Sequence, residues 1–235
     1  LAKKNTTTKN SLTKTEPTKP AKLKAWRSAV QKAMLKATQE EALSRFGTKT
    51  PTFNYRWEHV TAVVTLALIL AEQTGADPEV VEAAAWLHDV RKEAGAKHPI
   101  EGANFARKFL PKTDFPPHKI EAVADAITEH MGLWLDDPLT TLESQVLWDA
   151  DKLAKIGLTA VFHWTGNILS KGSPRTTQEM IAYGRNTEWQ TQTVASMHTP
   201  AARRAAQSRL LAYNLLWDTL EAELNGQDLQ QNRHA

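Results

Sequence analysis

From about Lys22 onward, apolar residues recur at three- and four-residue intervals, a spacing that predicts helices almost throughout. The expected helices run near 22–46, 55–74, 78–89, 99–110, 117–131, 140–154, 155–170, 176–196 and 200–224. The most apolar run, His59–Ala71, reads HVTAVVTLALILA and lies between Glu58 and Glu72. It is too short to span a bilayer and predicts a buried core helix. Punctuation marks several ends. Gly75 closes the second helix, and Asp77-Pro78 supplies an N-cap followed by proline at the first helical position. Pro99 and Pro117 sit at comparable starts. Thr199-Pro200 opens a last helix whose Ala206, Leu210, Tyr213, Leu216, Trp217 and Leu220 keep helical spacing. No stretch alternates like a strand, and no repeat is visible. The pattern therefore predicts an all-α bundle forming one domain over residues 23–225.

The two ends read differently. Residues 1–24 carry seven lysines and many threonines against one acidic residue, Glu16, with prolines at 17 and 20. So little apolar surface cannot offset ordering entropy, and residues 1–22 are expected to form a flexible basic tail. Residues 226–235 are expected to form a short C-terminal tail. A chain starting at Leu rather than Met reads as a fragment or a processed product. No secretory apolar segment stands near its start. The expected setting is cytoplasmic, without membrane association or nucleic-acid binding as a main role. Oligomeric state is not encoded in any recognisable pattern.

Composition narrows the chemistry. With no cysteine among 235 residues, disulfides, thiolate zinc sites and cysteine nucleophiles are excluded. A metal site would have to use imidazole and carboxylate ligands, which suit Mn, Fe, Co, Ni or Zn. Such ligands are present. His88-Asp89 ends an apolar helix (Val80–Leu87), placing a nitrogen and an oxygen donor at the mouth of a packed interior. A buried carboxylate is costly unless it is paired or binds a cation. Around this dipeptide lie His59, His98, His130 and, in Trp148-Asp149-Ala150-Asp151-Lys152-Leu153, two aspartates. Asp149 and Asp151 are two residues apart on one helix, so only one of them can face a given site. Helices converging in a bundle core are a known frame for a metal centre. The eight tryptophans fall mostly on apolar helix faces, where core packing is expected rather than base stacking. Gly-rich phosphate loops, His-Glu-x-x-His and Gly-x-Ser-x-Gly are all missing.

The order His59…His88-Asp89…Asp151 resembles the HD superfamily of metal-dependent phosphohydrolases, over roughly residues 55–170. Ala150-Asp151-Lys152-Leu153 is similar to that superfamily's Ala-Asp-Arg-Leu, which assigns Asp151 as the ligand. Asp149 is then left in a supporting or solvent-facing place. The string Asp149–Gly157 resembles a subgroup of small bacterial HD hydrolases, with Ala154 where they carry a third Asp. Thr199–Arg203 resembles their tail. Lys97-His98-Pro99-Ile100-Glu101-Gly102-Ala103 and Ala126-Ile127-Thr128-Glu129-His130 resemble segments of two-metal HD enzymes. In those enzymes the residue matching Asp89 bridges two ions, with His98 and His130 on the second. No Gly-Tyr-Pro follows, and Met131 replaces a second His, so cyclic-dinucleotide hydrolysis is disfavoured.

The resemblance implies a single HD-domain helical bundle that cleaves a phosphoester or phosphoanhydride with metal-activated water. The substrate would be a small phosphorylated metabolite, by analogy a nucleotide. One or two divalent ions are implied (Mn, Fe, Co, Ni, Zn or Mg), with Asp89 at the reacting centre. Lys92 matches the Lys of His-Asp-x-x-Lys and is expected on substrate phosphate, with Arg91 as a weaker contact. Two alternatives use the same ligands: an HD-type di-iron oxygenase, and a non-catalytic binding module with a structural metal.

Overall fold

The computed structural model describes residues 23–135, 137–172, 175–186 and 188–231. The tail expected over 1–22 lies outside these. Among the described residues the secondary structure is helical, and β character is confined to an isolated bridge between Lys24 and Thr113. The α-helices are α1 (Trp26–Phe46), α2 (Tyr55–Thr74), α3 (Pro78–Leu87), α4 (His98–Phe109), α5 (Ile120–Glu129) and α6 (Leu142–Leu153). They continue with α7 (Gly157–Ser170), α8 (Thr177–Gly184), α9 (Glu188–Ala195), α10 (Pro200–Leu224) and α11 (Asp228–Gln231).

Local chemistry sets the starts. Asp77 accepts from Glu79 N and Val80 N, with Pro78 in the first turn; Thr199 accepts from Ala202 N ahead of Pro200. Thr176 and Glu179 form a reciprocal capping box at α8. Gly47 and Gly75 end α1 and α2 in the left-handed region.

Helix α3 is the centre of the bundle. Every residue from Val80 to Leu87 is buried, and α1, α2, α4, α5 and α6 all touch it. Three consecutive alanines, Ala83 to Ala85, let those neighbours approach closely. Its Glu82 is tolerated because Arg27 Nε donates to it at 2.8 Å. Helix α2 packs on α3 and α6, and α5 packs on α4 and α6. This arrangement brings the ends of α3, α5 and α6 and the start of α4 beside the middle of the bundle.

A second, smaller apolar cluster of Ile181, Tyr213 and Trp217 joins α7, α8 and α10. The main departure from the predicted helices lies beside it. The helix expected over 176–196 is two, α8 and α9; at the end of α8 Trp217 packs against Gly184, where a Cβ would fall 2.2 Å from its ring. The boundary between α6 and α7 rests on Gly157, at φ 75°, where a Cβ would meet Arg209 at 2.7 Å. The helix expected to reach 89 ends at Leu87; His88 caps it in helical geometry with its N–H on Ala84 O, and Asp89 follows. Among the described residues no helix is long and apolar enough to cross a membrane.

Candidate metal centre

The six ligand-type side chains expected from the sequence converge, and each is at most 4% exposed. His59 comes from the buried face of α2, His88 caps α3, and Asp89 follows it. His98 opens α4 after a short 3-10 segment, His130 follows α5, and Asp151 lies in the last turn of α6. They form two groups, His59–His88–Asp151 and Asp89–His98–His130. Asp89 faces both: its Oδ2 is 3.6 Å from His88 Nε2, and its Oδ1 is 3.4 Å from His98 Nε2 and 3.7 Å from His130 Nε2.

Three imidazoles are oriented the same way. His88, His98 and His130 donate Nδ1–H to the carbonyls of Ala85, Gly95 and Ile127, at 2.8, 2.7 and 2.6 Å. At α3 and α5 these are carbonyls that the helix end leaves without a partner. Each bond fixes the tautomer and turns an Nε2 lone pair inward, as in metal-binding histidines.

The donors fit a cation. His59 Nε2 and Asp151 Oδ1 are 3.0 Å apart but not aligned for a hydrogen bond; with His88 Nε2 they are buried without a partner. His98 Nε2 and His130 Nε2 face each other at 3.2 Å while both Nδ1 atoms are donating. Two facing lone pairs repel unless positive charge lies beside them. Lys92 Nζ supplies some, 3.0 Å from both His98 Nε2 and Asp89 Oδ1. The all-nitrogen-and-oxygen donor set suits a divalent first-row ion.

Electrostatics keep these groups in ligand-competent states. Burial pushes His88 down to about 3, against the opposing pull of Asp89 and Asp151. Burial also lowers His59 and His98. For Asp89 burial acts upward, but His88, Arg56 and Lys92 outweigh it and hold the carboxyl well below its usual range. Asp151 is likewise held low, by Lys152, Lys155 and His59 against its burial.

Several of these neighbours were not singled out in the sequence. Arg56 bridges Asp89 Oδ2 and Glu41, to which its Nε donates at 2.9 Å. Lys152, fully buried and lowered to about 8 by burial, donates to Asp151 Oδ2 and His130 O, both at 2.6 Å. Lys155 donates to the same Asp151 oxygen at 2.7 Å. Arg56 precedes His59 by three residues and Lys155 follows Asp151 by four, so helical spacing carried the signal.

Other expectations fare differently. Asp149 is neither solvent-facing nor at the centre: it is fully buried and accepts from His198 N and Thr199 N at 2.8 and 2.7 Å, capping α10. Arg91 does not join the cluster; it pairs with Glu93 at 3.3 Å on the wall of a cleft. That cleft, about 800 Å³, runs from Asp89 and Lys92 to α1, where Lys36 and Arg45 line it. On the Asp151 side lies a cavity of about 270 Å³ bounded by Tyr55 and Lys155. Trp26, Trp86, Trp148 and Trp217 are core, as expected, but Trp164 and Trp189 line this cavity.

Residues 56–156, which hold all six side chains, match the family model of the HD domain. The chain carries an HD domain. Outside that span the likeness is one of fold. A predicted HD superfamily hydrolase from an uncultured Thermotogales bacterium is similar at 23% identity, over 83% of this chain and 91% of that one, with a TM-score of 0.53. Bacillus subtilis YpgQ in complex with ADP is similar at 22% identity, over 83% and 98%, with a TM-score of 0.58. An HD-superfamily hydrolase from Bacillus thuringiensis is similar at 17% identity, over 86% and 99%, also at 0.58. No curated protein matches the sequence. Within the HD domain the His-Asp dipeptide is His88-Asp89, one residue in each of the two ligand groups.

Proposed function

We propose that this HD domain is a metal-dependent phosphohydrolase acting on a small phosphorylated metabolite, a nucleotide in particular. The observation that carries the reading is the pair of adjacent, fully buried ligand groups with Asp89 between them. When bound there, divalent ions supply an activated water at neutral pH and neutralise charge on a phosphate. His59, His88 and Asp151 would hold one ion and His98 and His130 the other, with Asp89 within reach of both groups.

The protein's own groups do the rest. The Ala85, Gly95 and Ile127 carbonyls keep the imidazoles aimed inward. Arg56 holds one oxygen of Asp89 in place while Lys92 holds the other. Lys92 is a third exposed at its side chain, so it can leave Asp89 for a substrate phosphate. Arg91, Lys36 and Arg45 line the adjoining cleft paired with Glu93, Glu40 and Glu41, and would reach a polyanion by leaving those carboxylates. The ADP held by YpgQ, which shares this fold, favours a nucleotide. Residues 23–225 act as one unit in this reading.

Release of phosphate and pyrophosphate from a nucleotide panel, with Mn, Co, Ni or Mg added, tests the proposal. Metal-dependent release that falls by a thousandfold or more in Asp89→Ala is expected. Wild-type protein inert with every ion, or iron-dependent oxygen uptake in place of phosphate release, contradicts it.

A further inference from the structure

The cavity on the Asp151 side is unlike the charged cleft. Its walls are aromatic: Trp164 and Tyr183 stack at 4.6 Å with their planes 6° apart, and Trp189 adds a further ring. Among the described residues lining it only Lys155 carries a full charge, and Lys155 is bonded to Asp151 at the end nearest the metal centre. Tyr55 shares that end and stacks face-on against His59, 5.9 Å between ring centres and 8° between planes. A molecule in the cavity therefore lies one side chain away from the ligands.

Polar atoms without partners line this aromatic space. Gln190 of α9 is fully buried, yet neither its Nε2 nor its Oε1 makes a hydrogen bond. The Tyr213 hydroxyl lies beside it and already donates to Gly184 O at 3.0 Å. Asn167 Oδ1 and His163 Nδ1 on α7 line the same space and are also unpartnered. Buried amides without partners are rare because the desolvation is uncompensated. One such amide, with the Asn167 oxygen and the His163 ring nitrogen beside it, gives the cavity a set of polar atoms without partners.

We infer that this cavity is a recognition subsite for a nucleobase, with Gln190 reading the base's hydrogen-bonding edge. An amide presents a donor and an acceptor side by side, the pattern that pairs bidentately with a base edge. Aromatic walls hold a planar ring by stacking. The volume of about 270 Å³ is just under the range typical of drug-sized ligands, which suits one base and its sugar rather than two. A ring seated there directs its phosphates past Lys155 to the ions. The inference rests on the phosphohydrolase reading for the phosphate end, but base recognition can be tested without metal or hydrolysis.

The test is calorimetric titration of the full chain, with a chelator present, against adenosine, guanosine, cytidine, uridine and thymidine. At least one nucleoside is expected to bind, preferred over the weakest by tenfold or more. Gln190→Leu is expected to weaken it at least tenfold without lowering Tm, since the substitution removes an unpaired buried amide. If Gln190→Leu lowers Tm instead, Asn167→Ala decides: weakened nucleoside binding supports the subsite, and unchanged binding overturns it. No binding of any nucleoside at millimolar concentration, or affinity unchanged in a stable Gln190→Leu protein, also overturns it, even if nucleotides are hydrolysed. Nucleoside binding without metal-dependent phosphate release would leave the subsite standing and sink only the hydrolase reading.

Discussion

Arg56 shows how strongly single charges govern this interior. Its guanidinium is 10% exposed and is shared between Asp89 and Glu41. Breaking a buried pair by removing one partner leaves an uncompensated charge, at a cost of about 3–5 kcal/mol. Arg56→Met is therefore expected to lower unfolding free energy by that order in urea titrations. The loss should be smaller with divalent ions present, because cations then take over part of Arg56's role beside Asp89. His88 sets a pH dependence of known sign. Its folded value is about 3, against 6.5 for a free imidazole. Between those limits the unfolded chain binds the extra proton, so stability rises with pH. In chelated protein, stability from this group is complete above about pH 6.5 and falls as pH drops toward 3. The slope is at most about 1.4 kcal/mol per pH unit. Thermal melts from pH 7 to 4 check it, and His88→Gln is expected to flatten the slope.

At the scale of elements, the candidate ligands other than His59 sit at helix ends or just past them. His88 and His130 follow the last turns of α3 and α5, His98 begins α4, and Asp151 is near the end of α6. Helix ends leave carbonyls unpaired, and imidazoles there serve structure and site together. Asp149 belongs to the structural side of this economy. Asp149→Ala removes two charge-assisted hydrogen bonds from the start of α10. It is expected to cost about 2–3 kcal/mol in urea unfolding while leaving metal content unchanged. The helices and the side chains that gather into the two groups were legible in the sequence because apolar period and donor chemistry are local properties. The roles of Asp149 and Asp151 separated only through a resemblance, since spacing alone allowed either to face the site. What stayed hidden depends on distant partners. Asp89 meets an arginine 33 positions earlier, and Glu41 meets the same one 15 positions later. The need for glycine at 184 is set by Trp217, far along the chain. Gln190 looks like any helical glutamine until the bundle closes over it.

Over the whole molecule, the centre lies between a charged cleft on the Asp89 side and an aromatic cavity on the Asp151 side. Helices from both halves of the HD domain supply the candidate ligands, so ions bound there would tie the bundle together. A ligand that binds only the folded state at a hundred times its Kd stabilises by about 2.7 kcal/mol. Chelation is accordingly expected to lower Tm by several degrees, and Asp151→Ala to abolish the difference. The most direct test of the centre itself is ion stoichiometry, measured by mass spectrometry on the full chain equilibrated with Mn or Co. Two adjacent ligand groups predict two ions per chain, one in His98→Ala, and a loss of tight binding in Asp89→Ala. Wild-type protein that binds no ion, or one ion unaffected by these substitutions, contradicts the account.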